Sequence, residues 1–292
     1  MKSAARRAFE RAAPTASEDF VVSREAARRM EQRLDYVTLR PARVLDAGCG
    51  AGADLALLRH RYPQAELVGI DSACPLLKSA FQRRSLGEHA RNLFGRPASR
   101  LACADIARLP FRNAFFGMVW SNIALAWLRE PLEVFREFAR VLEPGGLLMF
   151  STYGPDTLKE LRACSALIDS REHVQTFLDM HDLGDMLIGS GFAEPVMDID
   201  MITLTYPDVA ALIADLRQTG QTYVAAGRRR GLMGRDAWQR MLDAYEARRR
   251  DGRIPASVEL VFGHAWKSER ARRPAKINVF GRSARGPVLS NE

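Results

Sequence analysis

The 292 residues carry 43 Lys and Arg against 35 Asp and Glu, a formal net charge of +8. Hydrophobic residues make up 47% and charged residues 27%, ordinary for a soluble globular chain with one large domain, or one domain plus an insert. No apolar run reaches the length of a membrane span, and the positive balance favours an anionic partner: nucleic acid, anionic lipid or an acidic carrier protein.

The basic opening, MKSAARRAFERAAP, has no apolar core of the kind a secretory signal needs. Residues 1 to 40 read as an amphipathic helical leader, with Val21, Val22, Ala26, Met30 and Leu34 at helical spacing. Such a leader either packs over a ligand mouth or simply covers the fold. The four cysteines, Cys49, Cys74, Cys103 and Cys164, are widely spaced and form no C-x-x-C pair. That pattern suits a reducing cytoplasm and argues against zinc or another metal.

The stretch from Arg43 to Ala53, RVLDAGCGAGA, reads as a buried strand at residues 44–47, a turn on Gly48, Gly50 and Gly52, and a helix from Asp54. This is the opening unit of a nucleotide-binding α/β sheet. Cys49 sits in the turn as a small packing residue. Gly48, Gly50 and Ala53 also satisfy a loose dinucleotide pattern. Against that, Asp46 stands directly before the turn, where it would repel a pyrophosphate and attract an ammonium.

A second strand ends at Asp71, about twenty residues beyond the turn, where an acid can accept from both ribose hydroxyls of a nucleoside. A helix from Cys74-Pro75 follows, then a loop over residues 87–99. A third strand runs into Asp105 and Ile106, and a fourth covers residues 116–121 and ends at Asn122. Ligands bind beyond the carboxyl ends of such strands, which brings Asn122 and Trp127 near the mouth; Trp127 could equally be core. A helix over 131–142, a stop at Glu143-Pro144-Gly145-Gly146 and a fifth strand over 147–152 come next. Helices follow over 161–168 and 182–188, then strands over 195–205 and 258–267. Residues 207–256 separate these last two strands and carry helical patterns over 209–220 and 235–250. A weak strand is expected at 277–280 and disorder over 284–292.

Asp46, Gly48, Gly50 and Gly52 match D-x-G-x-G-x-G, and the segment resembles motif I of the class I S-adenosylmethionine (SAM) methyltransferases. The resemblance implies an α/β, Rossmann-like fold: a mostly parallel seven-stranded sheet, helices on both faces, and a helical lid inserted between the last two strands. The methyltransferase domain would span 41–206 and 257–283, with the lid at 207–256. It also implies that SAM is held by Asp46, Gly48, Cys49, Gly50, Gly52, Asp71, Ser72, Asp105, Ile106 and Asn122, with Asp105 at the adenine amino group and Ile106 on its ring. The chain lacks the N/D-P-P-Y/F and Pro-Cys motifs of base methylation, which argues against a nucleic-acid substrate.

The segments around Ser121–Trp127, Phe150–Leu158, Asp182–Gly184, Tyr206-Pro207, Asp215–Gly220 and Gly263–Trp266 are similar to the malonyl-acyl-carrier-protein O-methyltransferases of biotin synthesis. That family usually has an aromatic residue after the leader's R-A-A-x-T, where this chain continues Ala16-Ser17. It usually reads G-A-T after the first insert helix, where this chain has Gly220-Gln221-Thr222. The likeness implies methylation of a malonyl thioester on acyl carrier protein, or on coenzyme A, in the cytoplasm and away from membranes. A related group assists respiratory complex I assembly or hydroxylates protein, and a different small acid or phenol is a further alternative substrate.

A malonyl carboxylate is ionised at neutral pH, so no catalytic base is required. An arginine should fork it: Arg217 in the insert or Arg162 after the fifth strand, with Trp127 alongside. The sequence does not specify an oligomeric state.

Overall fold

The computed structural model describes residues 4–12, 21–82, 99–128, 130–221 and 234–268. Two leader helices, α1 (Ala4–Ala12) and α2 (Val21–Arg33), precede the sheet. Strands β1 (Arg43–Ala47), β2 (Glu66–Asp71), β3 (Arg100–Cys103), β4 (Phe116–Asn122) and β5 (Leu142–Tyr153) are parallel. Helices α3 (Ala53–Arg61), α4 (Cys74–Gln82) and α5 (Pro131–Val141) lie on the crossovers. After α6 (Lys159–Ser165) and α7 (Met180–Gly189), β6 (Phe192–Tyr206) and β7 (Ile254–Lys267) close the sheet. Its order is β3-β2-β1-β4-β5-β7-β6, with β7 antiparallel to both neighbours.

The burial of each strand follows its place. β1 and β4 are central, covered on both faces, and almost wholly buried, so they read as apolar runs. β6 is an edge strand with alternating exposure. One core packs Phe116, Val119 and Phe150 beneath Phe135 and Phe138 of α5 and Leu183 and Leu187 of α7. The opposite face packs Trp120, Met118 and Met149 beneath α2 and α3 through Met30, Leu34, Leu55 and Leu58. Of the leader's expected apolar stripe, Val22, Ala26, Met30 and Leu34 are buried and Val21 is exposed. Arg29 and Arg33 of α2 also pair with Asp200 of β6, at 3.0 and 3.2 Å.

Between β6 and β7 stand α8 (Val209–Gln218) and α9 (Arg235–Glu246), the expected insert. They form a smaller core of their own from Val209, Leu212, Met241 and Tyr245, closed by Leu161 and Cys164 of α6. The paired strands run further toward the insert than their sequence pattern indicates. Tyr206 pairs with Ile254, so Pro255 and Ala256 belong to β7. The Pro-Gly-Gly stretch, expected only to stop a helix, lies within β5: Leu142 already pairs with Phe116, and the register shifts before Met118. The expected strand at 277–280, the tail over 284–292 and most of the 87–99 loop lie outside the described residues.

The cysteine reading needs correction. Cys74 and Cys103 are joined in a disulfide with their Cα atoms 5.5 Å apart, while Cys49 and Cys164 are free and buried. Spacing along the chain cannot reveal this pair. It arises because Asp71 pairs with Cys103 across β2 and β3, and Cys74 begins the helix that leaves β2.

Gly263 of β7 sits opposite Phe150 of β5. A Cβ there would overlap the Phe150 ring and lie within 2.9 Å of Met197 Sδ. Gly263→Ala should therefore overpack a central strand pair and cost about 1–3 kcal/mol. In urea denaturation the midpoint should fall while the slope is unchanged.

Candidate active site

The parallel strands all point their carboxyl ends to one edge of the sheet. The order reverses between β1 and β4, which opens a crevice there. The chain leaves β1 through Gly48, with φ +85°, and the Cβ of Ala124 occupies the space a Gly48 side chain would need. The N–H groups of Gly48 and Cys49 both donate to the Ile70 carbonyl at 2.9 Å. This pins the turn to the end of β2 and leaves the start of α3 facing the crevice.

Three carboxylates converge there. Asp71 Oδ2 accepts from Gly50 N at 3.0 Å and Oδ1 from Ala73 N at 2.7 Å, so each oxygen keeps a lone pair for a ligand. Asp54, in the first turn of α3, accepts from Trp120 Nε1 at 2.8 Å and Asn122 Nδ2 at 3.0 Å. Asp46 is 1% exposed, and its Oδ2 is buried with no hydrogen-bond partner. Burial first, then the nearby Asp54 and Asp71 charges, push the Asp46 carboxyl well above the usual carboxylate range. Asp54 and Asp71 are raised as well, mainly by burial, with their hydrogen bonds pulling the other way.

A cavity of about 1070 Å³ fills the crevice. Asp71, Ser72, Asp105, Ile106, Asn122 and the glycine turn with Cys49 all line it, as expected from the sequence; Asp46 lies beneath it and is absent from its wall. Burial and the three carboxylates raise the Cys49 thiol well above its usual value, in keeping with a packing role. The carboxamide of Asn122 is occupied by the protein. It donates to Ser23 O at 2.9 Å and to Asp54, and it accepts from Ser151 Oγ at 2.7 Å. Asn122 therefore bears on a ligand by holding Asp54 and α2 in place.

Arg6 and Phe9 of α1 also line this cavity, and the Arg6 charge lowers the Asp71 pKa. The leader thus reaches the ligand mouth, one of the two roles open to it from sequence. Asp54, Arg6, Phe9 and Gln221 were not among the site residues expected from sequence, Gln221 being noted only as a departure from the family's pattern. The only available signal for Asp54 is its place one turn into the helix after the glycines.

A second cavity, about 270 Å³, adjoins the first. Its wall is mostly apolar, with Leu158, Leu161, Val174, Phe177, Ile213 and Trp238 among its residues, and it includes Arg217 and His173. Trp127 lines both cavities, edge-on to Phe9 at 5.4 Å, Tyr153 at 6.2 Å and Phe177 at 6.4 Å. That places it at the site as well as in an aromatic cluster. Arg217 has no ion-pair partner among the described residues. Arg162 lines neither cavity: its guanidinium donates to the carbonyls of Pro155, Thr157 and Gln175 at 2.8–3.3 Å, so its charge fastens the loop around the second cavity.

The charge of the main cavity discriminates between ligands. A pyrophosphate would add negative charge beside three carboxylates. An amino acid would instead bring a positively charged ammonium beside them, and SAM carries both that ammonium and a sulfonium.

Comparison with known proteins agrees. Residues 45–150 match a family profile described as a methyltransferase domain. A malonyl-[acyl-carrier protein] O-methyltransferase of Laribacter hongkongensis is 50% identical over 96% of this chain and 94% of its own. The chain belongs to the malonyl-[acyl-carrier protein] O-methyltransferase family. A second member, from Gallionella capsiferriformans, is 47% identical over 91% of each chain. The fold of this family is also that of the YcgJ protein of Bacillus subtilis, which aligns with a TM-score of 0.57 at 18% identity over 85% of this chain and 100% of its own. The protein is a SAM-dependent methyltransferase with the Rossmann-like class I fold.

The raised Asp46 carboxyl gives SAM binding a defined pH dependence. A ligand ammonium favours the ionised carboxylate, so SAM binding should lower the raised Asp46 carboxyl and drive release of its proton. Below about pH 7, where the ligand amine is protonated, affinity should fall as pH is lowered. Calorimetry in two buffers of different ionisation enthalpy measures the proton directly; identical apparent enthalpies in both would contradict it.

Proposed function

We propose that the protein methylates the free carboxylate of a malonyl thioester carried by an acyl carrier protein, in the cytoplasm, giving the methyl ester that primes pimeloyl assembly for biotin. The reading is supported by similarity that extends over 96% of the chain and so includes the insert, the part that faces the second cavity. Among the described residues no helix is long and apolar enough to cross a membrane.

When bound, SAM supplies an electrophilic methyl group that passes in line to a carboxylate oxygen, leaving the thioether. The protein's residues have the remaining tasks of orienting the two partners and excluding water. In this reading Asp46 faces the ligand ammonium, Asp71 the ribose hydroxyls, and Asp105, Ser72 and Ile106 the adenine. The malonyl arm enters through the second cavity beneath the insert at 207–256, which acts as a lid. Arg217 pairs with the malonyl carboxylate so that it is not desolvated alone. The nucleophile is already ionised at neutral pH, so no side chain serves as base, and neither His173 nor His181 is given that role.

Mass spectrometry of malonyl-carrier incubated with enzyme and SAM should show the gain of one methyl group, and acetyl-carrier should be unchanged. Loss of Arg217 should remove a charge-assisted contact of about 1.5–3 kcal/mol. Arg217→Ala should then raise KM for malonyl-carrier about 10- to 100-fold while SAM affinity stays at the wild-type value. No methyl gain on malonyl-carrier would refute the substrate assignment and leave another acid, a phenol or protein hydroxylation to be tested.

A further inference from the structure

Among the described residues only Trp127 and Gln221 line both cavities. Gln221 stands just past the turn that ends the first helix of the insert, at the seam where methyl donor and acceptor must meet. Its carboxamide is not randomly oriented. Tyr153, the last residue of β5 and only 2% exposed, donates its hydroxyl to Gln221 Oε1 at 3.0 Å. Tyr153 is itself held in the aromatic cluster, 5.3 Å from Phe177 and edge-on to Trp127. With Oε1 engaged, the amide presents its Nε2 donors, for which no partner is found among the described residues.

A carboxylate accepting a methyl group must lie at this seam, because its sulfonium partner is in the first cavity and its thioester arm in the second. It needs a donor that neither transfers a proton nor competes as a nucleophile. A carboxamide N–H meets both requirements, whereas the amide oxygen turned the same way would repel the substrate.

We infer that Gln221 is a substrate-binding residue whose Nε2 donates to one oxygen of the acceptor carboxylate and leaves the other oxygen aimed at the methyl group, with Tyr153 as the positioning residue that fixes which end of the amide faces the substrate. The inference rests on the substrate reading above, since the donor is assigned to an acid acceptor, and it is specific to this chain, whose family usually has alanine at this position. Burial and the nearby Asp215 charge push the Tyr153 phenol far up, so it stays a hydrogen-bond donor throughout the working pH range. Arg217 lies in the last turn of the first insert helix, four residues before Gln221, and it adds charge where Gln221 adds direction.

The test compares wild type, Gln221→Ala, Gln221→Glu and Tyr153→Phe on malonyl-carrier, with acetyl-carrier as a ligand that lacks the carboxylate. Gln221→Ala should lower kcat/KM on malonyl-carrier about tenfold or more. Binding of acetyl-carrier and of SAM should stay within about twofold of wild type, which a merely structural role would not allow. Gln221→Glu keeps the side-chain shape and sets like charges against each other, so its loss on malonyl-carrier should exceed that of Gln221→Ala. Tyr153→Phe should show the same pattern more weakly, and combined with Gln221→Ala should add nothing. Wild-type rates in Gln221→Ala and Gln221→Glu, or equal losses for malonyl- and acetyl-carrier, would overturn the assignment of Gln221. Absence of methyl transfer by the wild type would instead sink the substrate reading, and the inference with it.

Discussion

The active-site architecture turns on one electrostatic constraint: a carboxylate, Asp46, buried at the end of a central strand with one oxygen unpartnered. A buried charge of this kind is costly unless a cation or a proton neutralises it. The surrounding structure does not relieve the cost. Asp54 and Asp71 approach from α3 and β2 and add to it. Their own burial is offset by neutral donors, the Trp120 indole and Asn122 amide for Asp54 and two backbone N–H groups for Asp71. The glycine turn brings these elements close enough for that arrangement to exist, since Ala124 leaves no room for a side chain at Gly48. The charge of a cavity organised this way favours a cationic nucleoside over a dinucleotide.

The second cavity, proposed above as the acceptor side, follows the opposite logic. The second cavity is mostly apolar and carries few polar groups, among them Arg217 and Gln221. Its walls come from the segment after β5 and from the two insert helices, which share a core with α6. In the proposed reading the donor half of the reaction is thus built by strand ends common to many α/β folds, while the acceptor half depends on the element inserted between the two antiparallel strands. Fold similarity at 18% identity speaks to the fold alone. Identity over 96% of the chain also covers the insert.

Much of this was legible in the sequence because it is local. The strand, glycine turn and helix around Asp46, the acids at 71 and 105, and the insert between the last strands are all patterns of neighbouring residues. What escaped the sequence depends on strand adjacency. Cys74 and Cys103 look unrelated until β2 and β3 pair in register. Asp54 reads as an ordinary first-turn acid until Trp120 and Asn122 arrive from β4. Arg162 has the right charge, but the carbonyls around it claim its guanidinium. Gln221 stood out only as a departure from the family's usual alanine, and its relation to Tyr153 spans 68 positions.

The claim that Asp46 is held unpaired for the ligand's ammonium is tested most directly by thermal denaturation of wild type and Asp46→Asn at about pH 8, each with and without saturating SAM. A carboxyl raised in the folded state costs nothing below its unfolded value, and stability is lost as pH rises from there through the folded value. At pH 8, well above the unfolded value, the ligand-free wild type therefore bears that cost, and the isosteric amide removes it. The account predicts that ligand-free Asp46→Asn melts higher than wild type and that the rise in midpoint on adding SAM shrinks. A variant that melts no higher without ligand and keeps the full SAM-induced rise would contradict it.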